Sequence, residues 1–229
     1  MDRLGLFAKY WQPGMVKRRL AASIGDYNAS QVYYECLKII LSRLENVCTE
    51  RVLAYTPASQ HAEFVKLSAV GWTLQVQSDG NLGERMFDFF SSAWDEGGER
   101  VVLMGSDSPT LPVQYVHDAF AALQRAEVVL GPTSDGGYYL IGLSRSNRHL
   151  FEEIQWSTSR VWGQTIEILE RLGCSYETLP KWYDVDNHSD LIRLSRELSS
   201  LNTREPVWAD LRKVVEKNIQ LSNGGNIQL

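Results

Sequence analysis

The chain has 229 residues, a formal net charge of −5, and 44% hydrophobic and 22% charged residues. These values are ordinary for a globular protein, and the length is sufficient for one large α/β domain with a full core. The negative charge argues against general nucleic-acid binding. The sequence contains no apolar run approaching the roughly 20 residues that span a bilayer, and the apolar part of its beginning is too short for a signal peptide.

The number and spacing of the cysteine residues indicate the cellular compartment of the protein. The cysteines are scattered and show none of the usual zinc-ligand spacings; they are Cys36, Cys48 and Cys174. We therefore expect reduced thiols in a cytoplasmic protein.

Apolar patterns predict alternating strands and helices along the chain. Strands are predicted over 4–8, 51–56, 72–76, 101–104, 127–130, 138–143 and 174–179. Helices are predicted over 16–24, 28–50, 58–69, 113–125, 161–172 and 206–220, and two more begin near residues 84 and 190.

A basic turn stands near the start of an otherwise acidic chain. Pro13-Gly14 marks the turn, and the surrounding cations are Lys9, Lys17, Arg18 and Arg19. The last three of these would begin a short helix, where the helix dipole disfavours positive charge. Such a conflict favours an anion site, although the P-loop pattern is missing, and removal of Lys17 or Arg19 should not reduce stability. The alternative is a solvated basic helix end.

The run 101–104 consists of four consecutive apolar residues, which predicts a strand buried on both faces. Pro109 ends this strand. Asp107 therefore follows the carboxyl end of a central strand, where ligands bind in open α/β sheets. The alternative is that Ser106 or Asp107 merely caps the next helix.

Two further turns carry charged residues. Glu84 and Arg85 begin a helix, for which a simple capped helix is the alternative to a ligand contact. Asp135-Gly136 lies between two apolar runs and predicts a hairpin, with 138–143 as an antiparallel strand in a mixed sheet. Alternatively, the glycine residues allow a ligand to approach the backbone closely, with Asp135 facing it.

The last acidic stretch contains Asp184 and Asp186, which alternate and so should point the same way. Paired carboxylates repel unless a cation or a proton lies between them. A surface turn with an Asp or Asn cap is the alternative. Upstream, Ser157 or Ser159 is expected to cap the helix over 161–172.

These motifs occur in an order that resembles a known bacterial family. They are Pro13-Gly14-x-x-Lys17-x-Arg19-Leu20, Gly83-Glu84-Arg85-Met86, Gly105-Ser106-Asp107-Ser108-Pro109, Asp135-Gly136-Gly137-Tyr138-Tyr139-Leu140-Ile141-Gly142, Trp156-Ser157-Thr158 and Asp184-Val185-Asp186-x-x-x-Asp190-Leu191, and they cover about residues 4–195. They resemble the selenium- and radical-SAM-associated "transferase 1" group, which includes arsenosugar-biosynthesis glycosyltransferases, within the nucleotide-diphospho-sugar transferase superfamily. Phospholactate and molybdenum-cofactor guanylyltransferases are similar at a greater distance.

The resemblance implies the glycosyltransferase type A fold, a three-layer α/β/α arrangement around a Rossmann-like mixed sheet that is mostly parallel with an antiparallel strand. It implies a transferase with a nucleotide-activated donor, and we expect sugar transfer from a nucleoside-diphosphate sugar to a small-molecule acceptor. The alternatives are a guanylyltransferase-like nucleotidyltransferase, acting on a phosphorylated small molecule, and a non-catalytic nucleotide-binding protein. The sequence leaves a homo-oligomer open.

The resemblance also implies a site. Asp107 and Asp186 would hold Mg²⁺ or Mn²⁺ through hard oxygen ligands, and the ion would neutralise charge as the diphosphate leaves. Asp135 is the candidate base beside the acceptor or sugar, and these three aspartates form the predicted catalytic set. The predicted nucleotide contacts are Lys9, Gly14, Lys17, Arg19, Glu84, Arg85, Ser106, Ser108, Gly136 and Gly137.

The predicted organisation is one nucleotide-diphospho-sugar transferase-like domain over 1–198, followed by a helical extension over 199–229 that lies outside the resemblance. The extension contains the helix predicted over 206–220 and a frayed end over 222–226. Its predicted apolar side consists of Trp208, Leu211, Val214 and Val215.

Overall fold

The computed structural model describes residues 1–68, 71–200 and 206–224. A seven-stranded sheet with the order β3-β2-β1-β4-β6-β5-β7 forms its centre. The strands are β1 (Asp2–Lys9), β2 (Glu50–Thr56), β3 (Trp72–Val76), β4 (Arg100–Gly105), β5 (Val128–Pro132), β6 (Tyr138–Leu143) and β7 (Tyr176–Thr178). All neighbouring strands pair in parallel except β6, which is antiparallel to both β4 and β5. The predicted mixed sheet with one antiparallel strand is therefore confirmed.

Helices cover both faces of the sheet. They are α1 (Arg18–Ile24), α2 (Asp26–Arg43), α3 (His61–Leu67), α4 (Leu82–Asp95), α5 (Val113–Ala122), α6 (Val161–Leu172), α7 (His188–Ser200) and α8 (Ala209–Gly224). Residues of α2, α3 and α5 pack in one apolar cluster, and residues of α4 and α6 pack in a second. This is the predicted three-layer α/β/α arrangement. None of the described helices is long and apolar enough to cross a membrane.

Strand β4 is the middle strand of the seven and is buried by both helix layers. Val102 and Met104 pack in the cluster with α2 and α5, whereas Val101 and Leu103 pack in the cluster with α4. Successive side chains of a strand point to opposite faces, so a strand between two helix layers must be apolar at every position. The continuous apolar run is therefore a strand that is buried on both faces, as the sequence predicted.

Several predicted boundaries shift in the structure. Helix α2 ends at Arg43, not at residue 50, because β2 already pairs with β1 from Glu50 and the chain must turn back before it. The helix predicted over 58–69 consists of a 3-10 turn at Ala58–Gln60 followed by α3, and residue 69 lies outside the described residues.

One predicted helix cap is wrong, and so is the cap that was the alternative to a ligand site at Asp107. Helix α6 follows Arg160, and neither Ser157 nor Ser159 caps it. The backbone N–H groups of Val161 and Trp162 instead donate to the carbonyl oxygens of Thr158 and Gly136. Helix α5 follows Pro112 without a side-chain cap, so Ser106 and Asp107 do not cap it either.

Helix α8 packs against α2 and α7, and its residues Leu211 and Val215 are buried together with Trp208, which lies just before the helix. This confirms the apolar side predicted for the helical extension, in which Val214 is only partly buried. The helix continues to Gly224, so the predicted fraying is wrong for 222–224, and residues 225 and 226 lie outside the described part of the chain. The domain boundary at residue 199 stays a prediction.

Candidate functional site

A cavity of about 330 Å³ opens where the carboxyl ends of β1 and β4 lie side by side. In open α/β sheets, this edge is where ligands bind. Of the predicted site residues, six line the cavity: Lys9, Lys17, Arg85, Ser106, Asp107 and Asp186.

Lys17 is the central cation of this cavity. Its backbone is left-handed, with φ of 50°, which is uncommon for a residue other than glycine. Its side chain is only 4% exposed, and its Nζ lies 2.6 Å from Oδ1 of Asp107 and 2.9 Å from Oδ1 of Asp186. The ammonium therefore lies between Asp107 and Asp186, whereas the pair for which the sequence required a cation or a proton was Asp184 and Asp186.

The charges of these partners determine the protonation of Lys17. Burial alone would lower the pKa of the Lys17 ammonium, but the negative charges of Asp107 and Asp186 outweigh burial and raise the pKa. Lys17 is therefore positively charged over the whole physiological pH range.

The acidic stretch after β7 docks directly on the end of β4. The backbone N–H of Val185 donates to the carbonyl oxygen of Asp107, at 2.9 Å, and Trp182 donates to the carbonyl oxygen of Pro132. These bonds place the stretch between the carboxyl ends of β4 and β5, and so bring Asp184 and Asp186 beside Asp107.

Asp184 is partly buried behind the cavity, where its Oδ1 lies 2.6 Å from Oγ of Ser108. Burial, together with the negative charge of Asp107, raises the pKa of Asp184 to about 7. The Ser108 hydroxyl also lies 3.0 Å from the carbonyl oxygen of Tyr183. The single hydrogen of the Ser108 hydroxyl is therefore shared between Oδ1 of Asp184 and this carbonyl oxygen.

Asp186 has the opposite electrostatic environment. Its Oδ2 accepts a hydrogen bond from Nη2 of Arg19, whose side chain is 61% exposed. Burial alone would raise the pKa of Asp186, but the positive charges of Lys17 and Arg19 outweigh it and lower the pKa. Asp186 is therefore ionised at neutral pH and binds two cations of the basic turn, Lys17 and Arg19.

Asp135 lies in the turn between β5 and β6, which confirms the predicted hairpin. Its Oδ1 accepts hydrogen bonds from Oγ1 of Thr133, at 2.6 Å, and from the backbone N–H of Gly137, at 3.3 Å. Its Oδ2 faces Arg19 at 3.9 Å. One oxygen therefore supports the turn while the other faces the charged cluster, so the two predicted roles are compatible.

Tyr33 of α2 is a site residue that sequence reasoning missed. Its hydroxyl lies 2.8 Å from Oγ of Ser106 and accepts the backbone N–H of Lys9 at 3.0 Å. The Lys17 ammonium lies 5.9 Å from the centre of the Tyr33 ring. Burial and the charge of Asp107 raise the pKa of Tyr33 to about 12, so it stays a neutral phenol. In the sequence Tyr33 belongs to an apolar helical stripe, which gives no functional signal.

Some predicted nucleotide contacts lie elsewhere. Glu84 forms a capping box with Asn81 at the start of α4 and does not line the cavity, as the capped-helix alternative predicts. Gly136 has a φ of 93° and packs against α6, where its carbonyl oxygen accepts from Trp162. The N–H of Gly137 donates to the side chains of Thr133 and Asp135 within the turn.

Two more predicted nucleotide contacts, Gly14 and Ser108, do not line the cavity. Gly14, with a φ of 79°, forms the turn that carries Lys17. Ser108 lies behind the cavity and holds Asp184.

The donor set of the cavity fits a divalent cation only in part. Among the described residues, no group of three or more His, Cys, Asp and Glu side chains is arranged to hold a metal ion. Asp107 and Asp186, however, converge on one point, which Nζ of Lys17 occupies. Two carboxylates fit Mg²⁺ or Mn²⁺ when phosphate and water supply the other ligands.

Comparisons with known proteins identify the family. The sequence profile of DUF2064, described as an uncharacterized protein conserved in bacteria, matches residues 40–158. The chain belongs to the DUF2064 family. This DUF2064 protein is also similar to the crystal structure of a proposed nucleotide-diphospho-sugar transferase from Desulfovibrio desulfuricans G20. The two share 32% identity at a TM-score of 0.87, over 95% of this chain and 97% of the other.

Two more distant structures share the fold of this DUF2064 protein. A cytidylyltransferase from Leptospira borgpetersenii serovar Hardjo-bovis (strain JB197) has a TM-score of 0.55 and 14% identity over 100% of this chain and 99% of that chain. A protein from Mycobacterium tuberculosis H37Rv, solved in complex with manganese, has a TM-score of 0.50 and 15% identity over 84% and 96%. No curated protein sequence gave a significant match. The predicted nucleotide-diphospho-sugar transferase fold is thus confirmed.

Proposed function

We propose that this DUF2064 protein is a metal-dependent transferase that moves a sugar from a nucleoside-diphosphate sugar to a small-molecule acceptor. The observation that carries the proposal is the Asp107–Lys17–Asp186 cluster at the carboxyl end of the central strand. The similar Desulfovibrio protein, a proposed nucleotide-diphospho-sugar transferase, supports the reaction class. On its motif order, we place the chain in the radical-SAM-associated transferase group of this superfamily.

The basic turn would bind the donor diphosphate. Charge-assisted hydrogen bonds from lysine and arginine to phosphate are stronger than neutral ones. Arg19 is exposed and can reach a ligand directly, whereas Lys17 is engaged by Asp107 and Asp186. A divalent cation at these two carboxylates would release the Lys17 ammonium to bind phosphate.

Asp107 and Asp186 are the residues that would hold the metal ion. Bound there, Mg²⁺ or Mn²⁺ would neutralise charge on the departing diphosphate. The manganese complex of the Mycobacterium tuberculosis protein supports such an ion in this fold.

Asp135 would be the general base on the acceptor side of the site. Its Oδ2 makes no hydrogen bond within the turn and faces Arg19. This oxygen is available to accept the proton of an acceptor hydroxyl.

The second candidate is nucleotidyl transfer, which the shared fold of the Leptospira cytidylyltransferase favours. It would use the same basic turn and metal ion, but it would join a nucleoside monophosphate to a phosphorylated molecule. The two reactions differ in their products, because sugar transfer releases a nucleoside diphosphate and nucleotidyl transfer releases pyrophosphate.

A thermal-shift screen of nucleotides and nucleotide sugars, with and without Mn²⁺, tests the proposal, and calorimetry then gives the affinity of the best ligand. We expect EDTA or Asp107→Ala to abolish nucleotide binding while the variant stays folded. The matched control is Asp95→Ala, since Asp95 is exposed at the far end of α4. Nucleotide affinity that is unchanged in both tests would exclude the metal site.

A further inference from the structure

A second cavity, of about 230 Å³, lies beside the nucleotide cavity, and Asp186 lines both of them. Arg19 and Asp135 line the second cavity but not the first. The guanidinium of Arg19, which contacts Asp186 and lies 3.9 Å from Asp135, therefore marks the boundary between the two. The proposed base faces the second cavity.

Carboxyl groups outnumber cations in this second cavity. Arg19 is the one cation among its described lining residues, and its guanidinium is already paired with Asp186. The other acidic lining residues are Asp135, Asp184 and Asp190. Even without Asp184, three carboxyl groups and one guanidinium line this cavity.

Two hydroxyl donors of the cavity wall are already used within the protein. The hydroxyl of Thr133 donates to Asp135, and the hydroxyl of Ser134 donates to the carbonyl oxygen of Trp182. Asp135 Oδ2 is left as an acceptor. A ligand hydroxyl would donate to this oxygen, whereas a phosphate would add negative charge beside the carboxylates of the cavity.

We propose that the second cavity binds the acceptor, and that it selects a hydroxylated acceptor without phosphate or carboxylate groups. This inference rests on the proposed function, since it needs a nucleotide-bound donor in the first cavity. An acceptor hydroxyl gives its proton to Oδ2 of Asp135 while its oxygen forms a bond to the anomeric carbon of the donor sugar. The bond from that carbon to the diphosphate breaks, and the nucleoside diphosphate leaves with the electron pair.

A nucleotide in the first cavity would strengthen the selection against phosphorylated acceptors. The diphosphate oxygens of the donor are negatively charged, and one divalent cation no more than balances that charge. A phosphorylated acceptor would therefore meet the carboxylates of the second cavity on one side and the donor phosphates on the other. The charge of the cavity thus favours sugar transfer over nucleotidyl transfer to a phosphorylated molecule.

Saturation-transfer NMR with matched probe pairs tests the inference. The full chain is saturated with UDP, GDP or CDP plus Mg²⁺, and glucose is compared with glucose 6-phosphate, and glycerol with glycerol 3-phosphate. We expect the uncharged member of at least one pair to bind at least about tenfold more tightly, because like-charge contacts are costly. Equal or tighter binding of the phosphorylated members, or no binding of either, would overturn the inference.

A variant that fills the second cavity tests whether the uncharged probe binds there. Ser134→Trp should abolish the signal of the uncharged probe and leave nucleotide affinity unchanged, because Ser134 lines only the second cavity. Ser199→Trp, at an exposed position of α7, is the matched control. Uncharged-probe binding that persists in a folded Ser134→Trp would overturn the assignment.

Two further readouts keep the outcomes distinct. If Ser134→Trp does not fold, Asp135→Asn replaces it and should reduce the discrimination against the phosphorylated probes; unchanged discrimination would overturn the inference. A protein that binds no nucleotide fails the proposed function as well, whereas nucleotide binding with a preference for phosphorylated probes contradicts this inference alone.

Discussion

Nζ of Lys17 lies 2.6 Å from Oδ1 of Asp107, in a contact that joins the basic turn after β1 to the end of the central strand. The same ammonium contacts Asp186, which lies 169 residues further along the chain. Lys17 therefore occupies the position that a divalent cation would take between these carboxylates. In the free protein the chain itself supplies the cation of its candidate site.

Lys17 and Arg19 should differ in their contribution to stability. The sequence predicted no loss of stability for either, because removing a cation relieves repulsion at the helix start. The structure changes this expectation for Lys17, since Lys17→Met leaves the half-buried Asp107 and Asp186 side by side without the ammonium that lies between them. We expect a loss of about 1.5–3 kcal/mol in the free energy of unfolding, against about 0.5 kcal/mol or less for the exposed Arg19→Met.

Urea unfolding at pH 7 measures this difference, and calorimetry with the best nucleotide measures affinity. Nucleotide binding should weaken in Arg19→Met by about 1.5–3 kcal/mol for the charge-assisted bond that is lost. Equal stability of the two variants would show that the Lys17 ion pairs contribute little.

Asp184 should make stability depend on pH between about 4 and 7. Its pKa is raised from 3.8 to about 7 in the folded protein, so the folded state retains a proton that the unfolded state loses. This contribution is greatest below pH 4 and is lost as the pH rises through about 7. Asp184→Asn does not ionise and should gain stability over the wild type as the pH rises, by up to about 4 kcal/mol.

Chemical unfolding in EDTA at several pH values tests this, and EDTA excludes effects of bound divalent ions. Asn can still accept the hydrogen bond of Ser108, so the packing is preserved. A difference between Asp184→Asn and the wild type that stays constant from pH 4 to pH 8 would contradict a raised pKa.

Asp135→Asn separates the turn role of Asp135 from its catalytic role. Asn keeps the Oδ1 acceptor that Thr133 and Gly137 use, so stability and nucleotide affinity should stay near those of the wild type. Asn cannot act as a base, and we expect turnover to fall by at least roughly 10²-fold. The measurement is the release of nucleoside diphosphate in the presence of an acceptor that supports turnover. Full activity of the variant would show that Asp135 has the turn role alone.

The two glycine residues of this turn form a matched pair. Gly136 has a φ of +93°, and a Cβ there would overlap the carbonyl oxygen of Ser159. Gly136→Ala should therefore lower the free energy of unfolding by more than about 1 kcal/mol. At Gly137, where the nearest atom to a Cβ would be Oγ1 of Thr133 at 3.2 Å, we expect a smaller loss for Gly137→Ala. Thermal unfolding checks the order, and a larger loss at Gly137 would contradict the turn geometry.

The sequence by itself determined the features that depend on neighbours along the chain. The continuous apolar run 101–104 identified a strand covered on both faces, and the proline after it placed Asp107 at the end of that strand. Asp135-Gly136 between two apolar runs identified the hairpin. The Asn81-x-x-Glu84 spacing is a capping-box signal, so the structural role of Glu84 was also open to prediction.

Only the tertiary structure decided which of these residues meet. Lys17 reaches Asp186 because the acidic stretch docks on the backbone of Asp107, which is a bond between distant segments. The surroundings of each carboxyl group decided its charge. Burial raises the pKa of Asp184, whereas Lys17 and Arg19 lower the pKa of Asp186. Spacing along a chain carries no information about solvent access or about partners far away in sequence, and these two quantities determine the chemistry of the site.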